Sequence, residues 1–196
     1  LEVRGRPRSF DENQALEQAM NVFWSLGYEG AGIADLEQAT GLGRQSLYGA
    51  FGNKRALFER VVDFYFERVL KPRVIDVLDA PGRARSNLEQ IFDAWEQAAM
   101  EPNFRGCLVG NAASDLRPRD SELGDVLRRK LELLEDAFVR ALGRAQCEGD
   151  VRRDLEPRSC ARTLLILSQG LGVVGRVRRE PAFVRSVIEN ARRLLD

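Results

Sequence analysis

Leu36-Glu37-Gln38-Ala39-Thr40-Gly41-Leu42-Gly43-Arg44-Gln45-Ser46-Leu47-Tyr48-Gly49-Ala50-Phe51-Gly52-Asn53-Lys54 reads as two short helices joined by a glycine turn. Ile33, Leu36 and Ala39 share one face of the first helix, and Gly41 can take the positive φ that a tight interhelical turn requires. Leu42, Leu47 and Phe51 anchor the second helix against the same small core. Its outer face carries Arg44, Gln45, Ser46, Tyr48 and Gly49, a group without carboxylates and able to donate to bases and phosphates. Such a helix-turn-helix places its second helix in the DNA major groove. There Arg pairs bidentately with guanine and Gln with adenine, whereas Ser and Tyr hydroxyls suit phosphate oxygens.

Working outward, Asp11 is a plausible N-cap for a helix running to Leu26, with Leu16, Ala19, Met20 and Phe23 on one face and Gly27 ending it. Downstream, a long helix from about Lys54 to Leu70 turns Leu57, Phe58, Val61, Val62 and Tyr65 inward, and Pro72 interrupts or ends it. The pattern Leu47-Tyr48-x-x-Phe51-x-x-Lys54-x-x-Leu57-Phe58, together with the preceding helices from about Arg8, resembles the DNA-binding domain of the TetR family of transcriptional regulators. Beyond Phe66 the resemblance is one of helical layout. It implies a ligand-responsive repressor that binds a palindromic double-stranded DNA operator as a homodimer.

The sequence departs from the family pattern at four positions. Gly32 and Gly43 stand where a small Ser or Thr usually caps a helix, leaving backbone N–H groups accessible to phosphate. Glu37 replaces a customary alanine, and its carboxylate is expected to point outward or to meet an arginine. Gly49 replaces a frequent histidine. The DNA-binding residues expected are therefore Arg4, Arg6, Arg8, Gly32, Gly43, Arg44, Gln45, Ser46, Tyr48, Gly49 and Lys54.

Thirty basic residues balance thirty acidic ones, so no global electrostatic argument for DNA is available. Locally, Val3 to Phe10 holds Arg4, Arg6 and Arg8 with no acid, and Gln38 to Phe58 holds Arg44, Lys54 and Arg55 with none. Both segments flank the second helix of the motif, which favours phosphate contact over an ordinary solvated surface. Arg4-Gly5-Arg6-Pro7-Arg8 resembles an arm laid in the minor groove.

With 196 residues and no histidine, the chain lacks the means for Ser-His-Asp or Cys-His catalysis, the common zinc sites and histidine pH switching. Gly41-Leu42-Gly43 and Gly170-Leu171-Gly172 follow no strand pattern, so no nucleotide-binding loop is indicated. No catalytic residue, metal or cofactor is expected. Cys107, Cys147 and Cys160 lie far apart, without metal spacing. The absence of a membrane-length apolar run or a signal peptide points to the cytoplasm.

Helical periodicity without strand signals makes the fold class all-α: a three-helix DNA-binding domain joined to a larger helical effector-binding and dimerisation domain. Expected divisions are an arm and helix-turn-helix domain over 1–53, a linking helix over 54–79 and the larger domain over 80–196, with helices near 84–100, 104–114, 121–147, 157–178 and 181–195. Phe92, Trp95, Phe104, Cys107, Leu108, Asn111, Phe138, Leu165 and Gln169 are the candidates for an effector pocket, which needs apolar walls and a few polar anchors. Such walls suit a small apolar or aromatic molecule. In the family the last two helices meet their copies in a four-helix bundle, which implies a dimer interface at Leu164, Leu167, Leu171, Val174, Phe183, Val184, Val187, Ile188 and Ala191. Two other readings use the same residues. One is a thiol- or electrophile-sensing repressor, in which Cys107 beside Arg105 at a helix start has a lowered pKa. The other is a helix-turn-helix dimer that binds a protein partner.

Overall fold

Asp11 starts the first helix by accepting hydrogen bonds on Oδ1 from the backbone N–H groups of Asn13, at 2.9 Å, and Gln14, at 3.2 Å. Two donors that a helix start leaves unpaired are thereby satisfied. The computed structural model describes residues 10–116 and 121–196, and these form helices and connections without strands. Arg4, Arg6 and Arg8 lie outside the described residues. Two units divide between Phe64 and Tyr65.

In the first unit, α1 (Glu12–Gly30) buries Ala15, Leu16, Ala19, Met20 and Phe23. Gly27 leaves the helical path at φ 75 and ψ 169, yet a further turn runs to Gly30, so the break expected at Gly27 is a kink and the end comes later. After α2 (Ile33–Thr40), Gly41 adopts φ 66 and donates its N–H to the Glu37 carbonyl at 2.9 Å. That left-handed residue turns the chain into α3 (Arg44–Phe51), which buries Leu47 and Phe51. Helix α4 (Lys54–Tyr65) then brings Leu57, Phe58, Val61 and Val62 into the core. The Phe58 ring lies 4.9 Å from those of Phe23 and Tyr28, an aromatic knot that ties α4 to the end of α1.

Pro72 does not end the helical run. From Phe66 to Ile75 the backbone winds as a π-helix, with Asp76 N–H donating to the Lys71 carbonyl five residues back, and α5 (Asp76–Leu78) completes it. A proline has no N–H to place in an α-helical ladder, and the wider turn carries the chain past it. The second unit continues with α6 (Ala84–Met100), α7 (Leu108–Asp115), α8 (Ser121–Cys147), α9 (Pro157–Val174) and α10 (Pro181–Arg193). Helix α7 begins four residues later than expected, because residues 104–107 are non-helical, with Gly106 at a left-handed φ of 72. Leu88, Phe92, Phe138, Leu142, Leu164, Val184 and Ile188, from α6, α8, α9 and α10, make one continuous core. Among the described residues no helix is long and apolar enough to cross a membrane.

Candidate functional sites

Helix α3 turns Leu47 and Phe51 inward and leaves Arg44, Gln45, Ser46 and Gly49 exposed, with Tyr48 half-buried. The Arg44 guanidinium carbon stands 5.6 Å from the centre of the Tyr48 ring, close enough for a cation–π contact that orders both side chains. Residues four apart lie on one helix face, so this pair projects from a single patch. Open space surrounds Gly49, where a Cβ would meet no atom within 4 Å.

Gly43 caps α3 without a side chain. Its work is done from the preceding helix: Glu37 Oε1 accepts the backbone N–H of Arg44. Glu37 thus meets an arginine through its backbone, and the first N–H of α3 is not left for phosphate. At Gly32, the N–H donates to Asp35 Oδ2 at 2.8 Å, which likewise places a carboxylate at a helix start. The Lys54 ammonium lies 4.9 Å over the Tyr28 ring and 3.4 Å from the Glu29 carbonyl, so the end of α1 positions it.

The candidates in the second unit separate into two groups. Phe92 and Phe138 are fully buried and flank the half-buried Trp95 at 5.6 and 5.9 Å. This trio belongs to the continuous core, whereas Leu108 and Leu165 are buried nearby in sequence from Cys107 and Gln169. Cys107, Asn111 and Gln169 gather instead at the start of α7, with Tyr65 as a fourth member: its hydroxyl and the Cys107 thiol are hydrogen-bond partners. Sequence reading placed Tyr65 in the core without a further role, although a buried tyrosine in an apolar stripe must find a partner for its hydroxyl.

Burial pushes the Cys107 thiol up from its ordinary pKa, against opposing hydrogen bonds from the Gly110 backbone, Tyr65, the Val109 backbone and Gln169. The lowered pKa expected from Arg105 and a helix start is therefore corrected: desolvation outweighs the helix end. Asn111 Nδ2 donates to the Arg105 carbonyl at 2.8 Å. Gln169 Nε2 donates to the Ser168 hydroxyl at 3.1 Å. A cleft of about 560 Å³ is lined by Pro102, Asn103, Phe104, Arg105 and Arg179, and of the pocket candidates only Phe104 lines it.

On the last two helices, Leu164, Leu171, Val184, Ile188 and Ala191 are buried within the protomer, so their apolar surface is already covered by its own core. Leu167, Phe183 and Val187 are half-buried, and Val174 is exposed. An outward stripe on α9 runs through Ile166, Gly170, Val173 and Val174, of which sequence reading had singled out only Val174, and the exposed Val177 lies in the turn just beyond the helix. The four helical residues follow i, i+4, i+7 and i+8, one face of a helix. Ile166 and Val177 are 70% and 84% exposed.

The family model for bacterial regulatory proteins of the tetR family matches residues 15–61, and that for the tetracyclin repressor-like C-terminal domain matches 79–191. An HTH-type transcriptional regulator of Bacillus subtilis (strain 168), YezE, is 36% identical over 82% of this chain and 83% of its own length. The HTH-type transcriptional repressor ComR of Escherichia coli (strain K12) is 29% identical over 88% of this chain and 83% of its own. Among solved structures, a cysteine mutant of the TetR family transcriptional regulator CifR, complexed with 26 bp double-strand operator DNA, superposes with a TM-score of 0.85 at 33% identity. That alignment covers 98% of this chain and 100% of the other.

Proposed function

The chain belongs to the TetR family of transcriptional regulators, and from that premise we propose that it is a homodimeric repressor released from a palindromic operator by a small-molecule effector. Members of this family regulate transcription by binding DNA and are not enzymes. The observation that carries the proposal is the outer face of α3, where Arg44, Gln45, Ser46 and Tyr48 project without a carboxylate among them.

Arg44 and Gln45 read base edges in this proposal. Ser46, Tyr48 and Lys54 hold phosphates, Gly43 and Gly49 leave the DNA backbone room to approach, and the arm of Arg4, Arg6 and Arg8 enters the minor groove, whereas the Gly32 N–H is engaged by Asp35. The exposed stripe of α9, joined by Phe183 and Val187 of α10, meets its copy and sets two recognition helices about 34 Å apart. The effector binds in the second unit and is small and largely apolar or aromatic. It must favour a state in which α4 is tilted and the spacing is lost, because a ligand with equal affinity for both states shifts nothing. A DNA-bound regulator of this kind works in the cytoplasm.

The test is operator binding by variants that stay folded and dimeric. Tyr48→Phe with Lys54→Ala weakens binding to every sequence and flattens its salt dependence, and Arg44→Ala also relaxes base preference at one position in each half-site. Unchanged binding in both variants removes α3 from the interface.

A further inference from the structure

Two buried oxygens are left without a hydrogen bond at the start of α7: Asn111 Oδ1 and Gln169 Oε1. The orientation of each amide is fixed by its nitrogen. Turning Asn111 over would set its oxygen against the Arg105 carbonyl that Nδ2 now engages. Turning Gln169 over would face its oxygen to the Ser168 hydroxyl, whose proton already goes to the Leu165 carbonyl at 2.7 Å. Both oxygens are therefore acceptors awaiting donors, and a buried acceptor left unpaired bears its full desolvation cost.

Glycines let these oxygens lie close against the backbone of the neighbouring segment. A Cβ on Gly110 would stand 2.3 Å from Gln169 Oε1, and one on Gly106 would stand 3.3 Å from Asn111 Oδ1 and 2.2 Å from the Gly172 carbonyl. Helices α7 and α9 thus approach closely enough to present both amides at one place. The cleft lined by Arg105 and Arg179 adjoins it in the chain, since the Arg105 carbonyl itself holds Asn111.

Charge narrows the class of ligand. Two acceptors would suit an ammonium, but no carboxylate lines the cleft, and none is among the groups acting on Cys107. We infer that Asn111 Oδ1 and Gln169 Oε1 form the polar end of an effector subsite, which receives a neutral small molecule through hydrogen bonds donated by a hydroxyl or amide group. This inference rests on the reading of the second unit as the effector-binding domain. A site built around acceptors discriminates against analogues that cannot donate, because its buried oxygens then stay unpaired.

Benzyl alcohol and benzaldehyde make a matched pair of probes, close in size, of which only the alcohol donates. Each is titrated into the full chain while the side-chain amide signals of Asn111 and Gln169 are followed by NMR, in wild type and in Gln169→Met. The alcohol is expected to move both signals and to bind at least about tenfold more tightly than the aldehyde. In Gln169→Met that preference falls to about threefold or less. The ligand-free variant also melts at a higher temperature, because an unpaired buried oxygen has given way to an apolar group of similar volume. Equal binding of both probes at these amides overturns the donor class and leaves the effector site standing. Signals that neither probe moves overturn the site as well.

Discussion

Replacing Glu37 separates two effects that a helix cap usually combines. Its carboxylate accepts the first N–H of α3, where a DNA phosphate would be drawn by the same N–H and by the positive end of the helix. Glu37→Gln keeps an acceptor oxygen but removes the charge, and the lost charge–dipole term costs about 0.5 kcal/mol of folding stability. On DNA the sign reverses. A carboxylate about 6 Å from a phosphate in a water-like dielectric repels it by about 0.7 kcal/mol. Two half-sites double that to about 1.4 kcal/mol, or about tenfold in Kd. Fluorescence anisotropy with an operator duplex at about 50 and about 200 mM salt, beside thermal unfolding, measures both quantities. A tighter and slightly less stable variant, with a gain that shrinks as salt rises, is expected. If operator affinity falls in step with stability, Glu37 organises the helix and does not compete with phosphate, and the reasoning fails.

Gly106→Ala should destabilise the protein by about 2 kcal/mol or more, because a side chain there meets the Gly172 carbonyl at a positive φ of 72. Gly41→Ala should cost only about 1 kcal/mol, since its φ of 66 is strained but its surroundings are open; equal losses in chemical denaturation would deny the close approach of α7 to α9. Cys107, with its pKa raised by burial, stays protonated near neutral pH and gains thiolate only as pH climbs beyond the ordinary thiol range. Its alkylation by iodoacetamide should still be accelerating above about pH 9, whereas a rate already level at neutral pH would restore the reactive-thiol reading. Ile166→Glu, on the exposed stripe of α9, should raise the dimer dissociation constant at least about tenfold by sedimentation; an unchanged dimer would put the interface elsewhere.

The elements that announced themselves were those whose boundaries lie in local chemistry. Asp11 as a cap, Gly41 as a left-handed turn and the inward set Leu36, Leu47 and Phe51 were legible because each rule acts within a few residues. Helices α6 and α8 kept the spans expected from their proline and glycine punctuation. The start of α7 was misjudged because Gly106 meets Gly172 across 66 positions of chain, a contact no periodicity records. Pro72 signalled an interruption or an end, and the π-helical form that the interruption takes leaves no mark of its own. Glu37 reaches Arg44 across the turn between two helices, beyond the i+3 and i+4 relations of one helix. On α9, apolar residues nearly all round gave no means of choosing the side its own core takes, so the outward stripe emerged only with the fold. Asn111 and Gln169 were readable as polar residues near an apolar wall, but their unpaired oxygens follow from burial alone.

Selection of bound sites from a random double-stranded DNA pool, with the folded dimer at a stated salt concentration, bears most directly on the proposed role. Enrichment of a pseudo-palindrome whose half-sites are centred about one helical turn apart, and its loss in Arg44→Ala, is the expected result. No enrichment from an intact dimer would contradict operator binding and favour a protein-binding role for the same helices.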